Sequence, residues 1–236
     1  MVNWQSPSVV AADSLAFVKL LHVLAGLFMW EFFATLQYEW DFVKKRRPYR
    51  WTIWIYSATR ITALMNVILG LVGFNVTKPI ACEVWLIFEF IFAYTAFSLA
   101  SLLIVLRLIA IWNRNVPISL LAVGVWLVNL AFLLRSVIVA RSEWDNDSGG
   151  CQISDTDDSR INVTVTLITD TVLLTIMIVG LRRQRDHELG RMLFNQGVLW
   201  LCLATISEVP PVVFLWLNLN DPLNIVSKIY FTLPAV

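Results

Sequence analysis

Long apolar runs separated by short charged blocks organise this chain. A helix needs about 20 mainly apolar residues to cross roughly 30 Å of hydrocarbon. Six runs reach that length: 15–37, 51–74, 82–112, 116–140, 161–181 and 192–217. The third is longer than one crossing requires, which implies tilt or extension past the bilayer. A seventh stretch, 222–236, would make about 22 Å of helix, short of a full span. Its terminal carboxylate would lie at membrane depth, which is costly, so the expectation is a seven-span protein shortened at its C-terminus. The pattern predicts an all-α fold: a single polytopic transmembrane bundle over 1–236, its last span short or truncated.

Composition agrees. Of the 236 residues, 58% are hydrophobic and 15% charged, and mean hydropathy is +0.70. Soluble domains run about 45–50% apolar and about 25% charged. A net charge of +1 points to neither nucleic acid nor an acidic partner. Residues 1–14 contain no Lys or Arg, so the first run reads as an uncleaved span and not as a signal peptide.

Basic residues set the orientation. The blocks after the first, third and fifth runs hold Lys44, Lys45, Arg46, Arg47, Arg50, Arg114, Arg182, Arg183, Arg185 and Arg191. The opposite side holds Lys78, Arg141 and Arg160. The positive-inside rule then places the N-terminus outside, in the plasma membrane or another membrane of the secretory route. Trp40, Trp51, Trp112 and Trp144 fall near span ends, as interfacial belts require. The KKRRPYR block marks topology and could also meet anionic headgroups of the lipid bilayer.

In that topology Cys82 begins the third span and Cys151 lies in the next outer loop, both on the oxidising side. They are natural disulfide partners, two free thiols being the alternative. Cys202, inside the sixth run, reads as a small apolar filler. Two N-glycosylation acceptors, Asn75-Val76-Thr77 and Asn162-Val163-Thr164, also fall on the outer side, close to the membrane.

Ionisable side chains at membrane depth need pairing or water. Toward the cytoplasm stand Glu31, Arg60 and Arg107. Glu31 and Arg60 share a depth and could pair to tie the first two spans, while Arg107 could couple the bundle to a cytoplasmic signalling protein. Toward the outside stand Lys19, His22, Glu89, Arg135, Asp170, Glu208 and Lys228. Lys19 and His22, three apart, share a helix face. If these groups face inward, they line a pocket for a charged or zwitterionic ligand, with Lys19, His22, Glu89, Asp170 and Glu208 as its candidates. If they face outward, the bases snorkel and the acids pair with them. Pro210 and Pro211 would kink the sixth span beside Glu208.

A cysteine at the start of span three joined to the second outer loop, with Arg107 near that span's inner end, resembles the G-protein-coupled receptor arrangement. No D-R-Y triplet stands at Arg107. In detail, Trp30, Glu31, Glu39, Trp40, Asp41, Arg50, Trp51, Tyr56 and Arg60, with the Asn75-to-Cys82 loop and Arg107 to Trp112, resemble uncharacterised seven-span membrane proteins of basidiomycete fungi. The resemblance covers roughly 20–115 and implies a fold and a fungal origin, without a reaction. Enzymatic readings lack material. The two histidines, His22 and His187, do not make a zinc set, and no P-loop, dinucleotide fingerprint or G-x-S-x-G occurs. No cofactor is expected. Lys228 as a Schiff-base lysine would lie near the outer end of the shortest run. The sequence supports a receptor-like protein sensing an unknown outer ligand, with a small-solute or proton-coupled transporter and a structural membrane protein as alternatives.

Overall fold

A computed structural model describes residues 6–44, 51–76, 80–113, 115–145, 150–153 and 157–183, with Ile206, Val209, Val212, Val213, Trp216 and Leu217 described individually. The elements are α1 (Pro7–Val43), α2 (Thr52–Asn75), α3 (Cys82–Ile111), α4 (Val116–Val139), β1 (Ser142–Asp145), β2 (Gly150–Ile153) and α5 (Asp157–Arg183). Five helices are long and apolar enough to cross a membrane, over Ser8–Gln37, Thr52–Gly73, Cys82–Ile111, Val116–Val139 and Ile161–Leu181. The chain is a helical, multi-pass protein embedded in a membrane. The stretches expected at 192–217 and 222–236 lie outside the described residues, apart from the six named, which are helical.

The first helix begins at Pro7, eight residues before the expected span. Proline suits a first turn because its missing N–H would have no helical partner there. The Ser6 carbonyl accepts from Val9 N and Val10 N at 3.0 Å each, and no charged residue precedes Asp13. The bundle is helical throughout, as expected, and one connection adds a feature that the apolar pattern does not predict. Residues 142–145 and 150–153 form a short antiparallel ribbon, pairing Ser142 with Ile153, Glu143 with Gln152, Trp144 with Cys151 and Asp145 with Gly150. A lone two-stranded ribbon is marginal in water; this one is anchored to α3 by the bond described below.

Packing centres on α3, which touches α2, α4, α5 and β1, while α1 lies against α2. Val105 and Leu108 of α3, Ala122 of α4, and Leu173, Met177 and Leu181 of α5 form the main apolar core. Phe97 and Leu133 form a second cluster nearer the hairpin, flanked by Tyr94 and Val163. The buried positions of α5 are Asn162, Thr166, Thr169, Asp170, Leu173, Met177, Gly180 and Leu181. They recur every three or four residues, which is one face of a helix. Large apolar side chains cover the outer faces; Trp30 and Ile138 are each 73% exposed. In water such coverage would drive aggregation, whereas in lipid it needs no partner. Between α3 and α4 the chain reverses at Asn113, whose φ is 50°. That is the left-handed region, which asparagine tolerates at a helix C-terminus.

Candidate functional site

At the hairpin end, Cys82 and Cys151 form a disulfide with Cα atoms 5.6 Å apart, at a sequence separation of 69. The bond fixes the α4–α5 connection over the start of α3. Arg141 Nη1 adds an ion pair to Glu83 Oε1 at 3.4 Å; both groups are exposed, so the pair is worth little in stability.

The outer candidates among the described residues contact different neighbours. Lys19 and His22 are both exposed on α1. His22 Nδ1 donates to Val18 O at 2.7 Å. With that proton on Nδ1, Nε2 is an acceptor, and it meets Asn75 Nδ2 at 3.3 Å. The same Asn75 nitrogen donates to Leu71 O at 2.7 Å. Both of its hydrogens are therefore used, and a sugar at Asn75 would have to displace one of these bonds.

Glu89 faces α2. In the orientation that satisfies its amide, Asn66 places Nδ2 3.2 Å from both Glu89 O and Glu89 Oε1. Glu89 Oε2 is buried and has no hydrogen-bond partner among the described residues. Asp170 belongs elsewhere. It is 9% exposed at the middle of α5, and its Oδ1 accepts from Ser101 Oγ at 3.4 Å. Twelve residues separate Glu89 from Ser101 on α3, which puts them about 120° apart around that helix. Over the described residues these candidates make separate contacts at α1–α2, α2–α3 and α3–α5. Glu208 and Lys228 lie outside those residues, as do Pro210, Pro211, Cys202 and His187.

Around Asp170 runs a polar seam assembled from uncharged residues that a search for charges overlooks. Ser136 Oγ of α4 accepts from Asn162 Nδ2 of α5. The Thr166 hydroxyl lies 2.9 Å from Asn129 Oδ1 of α4 and 3.0 Å from Asn162 O, with one hydrogen between them. The signal was present as two asparagines, Asn66 and Asn129, inside otherwise apolar runs. Asn162, the second glycosylation acceptor, is 7% exposed, and its amide nitrogen donates to Ser136 Oγ of α4.

Toward the other end, Arg60 is buried. Its Nη2 donates to Phe32 O at 3.2 Å, and its guanidinium sits 4.9 Å from the Phe32 ring and 5.7 Å from the Tyr56 ring. The expected tie between the first two spans exists, but it runs through Phe32. Glu31 is exposed, and no ion pair joins it to Arg60 among the described residues. Adjacent helical residues point about 100° apart, which turns Glu31 away when Phe32 faces α2. Arg107 is exposed, four residues before the end of α3.

Tryptophan indoles link α3 to its neighbours. Trp85 Nε1 donates to Leu69 O at 3.0 Å, Trp126 Nε1 to Ser98 O at 3.0 Å, and Trp112 Nε1 to Ile176 O at 3.2 Å. Trp112 is therefore a packing residue as much as an interfacial one. Trp40 and Trp51 are exposed as a belt requires, with Lys44 Nζ 5.2 Å from the Trp40 ring. No family model matches the chain, and no protein of curated function matches it.

Proposed function

We propose that the chain is a receptor-like, seven-span membrane protein with its N-terminus outside the cytosol, sensing a ligand through the outer halves of its helices. The observation that carries this reading is the Cys82–Cys151 bond, which straps the α4–α5 hairpin over the start of α3. Disulfides persist on the oxidising face. The predominance of basic residues in the opposite loops agrees with that side being outer. The helix that carries the disulfide is also the one packed against three others. Displacement at its outer end would therefore reach the exposed Arg107 at its inner end, where a cytoplasmic signalling protein would dock. Glu89, Asp170 and the His22–Asn75 contact are the groups within reach of ligand-induced movement, and Glu208, Lys19 and Lys228 complete the set by sequence.

The test is nucleotide exchange on a heterotrimeric G protein reconstituted with the chain in liposomes. Exchange above that of empty liposomes, reduced by Arg107→Ala, supports the receptor reading. A second reading, a proton-coupled transporter, is favoured by the buried Oε2 of Glu89, which has no hydrogen-bond partner among the described residues. Solute uptake driven by a pH gradient, without nucleotide exchange and abolished by Glu208→Gln or Glu89→Gln, supports it instead.

A further inference from the structure

Glu89 sits two helical turns after Cys82, about 10 Å along α3 from the disulfide end. Its two carboxyl oxygens have unlike surroundings. Oε1 receives the Asn66 amide at 3.2 Å and lies so close to α2 that a Cβ on Gly70 would come within 3.3 Å of it. Oε2 is buried and without a hydrogen-bond partner among the described residues. No cation pairs with Glu89 among those residues. The sole charged residue of α2, Arg60, is turned to Phe32. It precedes Gly70 by about 15 Å along the helix axis. On α3 itself, Glu83 pairs with Arg141. Arg107, near the other end of α3, is about 27 Å along the axis from Glu89. On α1, Lys19 is exposed and His22 is bonded to Val18 and Asn75.

An ionised carboxylate in such a place leaves a full charge in a low-dielectric interior with one oxygen unsolvated. A proton on Oε2 removes that charge and leaves Oε1 free to accept from Asn66. We propose that Glu89 is a proton-binding site at the α2–α3 interface, with the acid neutral at rest, its proton on Oε2 and its Oε1 held by Asn66. A polar ligand group reaching this interface meets an O–H donor. Loss of the proton yields a carboxylate that requires a cation or a further donor, so proton release and arrival of a cation are linked at this point. The proposal rests on the embedding of the chain in a bilayer and stands whether the protein is a receptor or a transporter.

The test uses the full chain in lipid nanodiscs at pH 7. Infrared spectra of wild type minus Glu89→Gln should contain the carbonyl band of a protonated carboxyl. An apolar carbodiimide, which reacts with protonated carboxyls, should modify wild-type Glu89 up to about five hundredfold faster than Glu83, since an ordinary glutamate is protonated in roughly one molecule in five hundred at pH 7. The labelling needs no variant, so it decides the matter even if Glu89→Gln does not fold. An unchanged carbonyl region, or labelling of Glu89 no faster than that of Glu83, overturns the proposal. A band that emerges only after sodium is removed also overturns it, because the resting occupant would then be a metal cation.

Discussion

Gly180→Ala should destabilise the protein, although alanine normally favours a helix interior by about 1 kcal/mol over glycine. Gly180 is buried on α5, and a Cβ built there meets Trp112 Nε1 at 2.5 Å, Trp112 Cε2 at 2.9 Å and Ile111 Cγ2 at 3.1 Å. The indole bonds the carbonyl of Ile176, four residues earlier on the same helix. That oxygen already accepts the helical N–H of residue 180, so a second donor must approach from the side, past the Cβ position of residue 180. Glycine opens the approach and a methyl group closes it. Overpacking costs about 1–3 kcal/mol, and losing an interhelical hydrogen bond in a bilayer adds about 0.6 kcal/mol. Subtracting the propensity gain leaves a net loss of about 0.5–2.5 kcal/mol. The same geometry recurs at Gly73, where the Trp85 indole covers the glycine and donates to Leu69 O, again four residues earlier. Gly124 supplies the contrast, with nothing within 4 Å of a built Cβ. Gly124→Ala should therefore be neutral or gain up to about 1 kcal/mol. Thermal unfolding of the variants in one detergent measures the differences. If Gly180→Ala and Gly73→Ala stabilise as Gly124→Ala does, the reading of the glycines as sockets for the indoles is wrong. Trp112→Phe should abolish most of the penalty of Gly180→Ala, because it removes both the bulk and the donor.

Thr166→Val should cost about 1–2 kcal/mol by orphaning Asn129, and combining it with Asn129→Leu should recover part of the loss; strictly additive effects in a double-mutant cycle would refute the bond. Cys82→Ser and Cys151→Ser should each lower thermal stability to the same extent, by at most about 4 kcal/mol for a closed loop of this size, and less because inserted helices already restrict the unfolded chain. Peptide mapping under non-reducing conditions should recover the Cys82–Cys151 pair. Asn162→Gln should leave electrophoretic mobility unchanged after expression in a glycosylating host, because the buried amide carries no sugar, yet should lower stability by breaking the contact with Ser136.

The second to fifth spans were legible almost to the residue, because the bilayer demands length and apolarity together and the loops supply the interruptions. The disulfide was legible from parity: two crossings, an even number, separate Cys82 from Cys151 and bring the chain back to the same side. What could not be read was direction around each helix. These helices are apolar on nearly every face, so hydrophobic periodicity does not say which side meets a neighbour. Depth could be counted, and Glu31 and Arg60 do share it, but the turn of roughly 100° from Glu31 to Phe32 gave the contact to Phe32. Likewise Glu89 and Asp170 look like one acidic lining in sequence and face different helices in space. Trp112 looked like a belt residue because its socket, Gly180, is two helices further along the chain. The hairpin escaped notice because its strands are four residues each and polar, without the apolar alternation that marks a half-buried strand.

Uncharged hydrogen bonds between helices in lipid average only about 0.6 kcal/mol each, so the seam between α3, α4 and α5 adds modest strength. Its larger effect is on register. Ser136 with Asn162 lies nearer the hairpin and Asn129 with Thr166 nearer mid-membrane, in the order antiparallel helices require. Sliding α5 by one turn, about 5.4 Å, would separate both pairs at once and leave four polar side chains facing hydrocarbon. Each orphaned group would cost about 1–3 kcal/mol, so a slip is opposed by several times the energy that the bonds contribute to assembly. The apolar core of Val105, Leu108, Leu173 and Met177 would tolerate such a slip far better, since one aliphatic side chain can replace another. Movement along this interface is therefore opposed by two buried side-chain pairs, whereas the α2–α3 interface carries the Asn66–Glu89 contact and the Trp85–Leu69 bond. A signal or a transport cycle passing through this bundle would therefore leave α4 and α5 in register with each other.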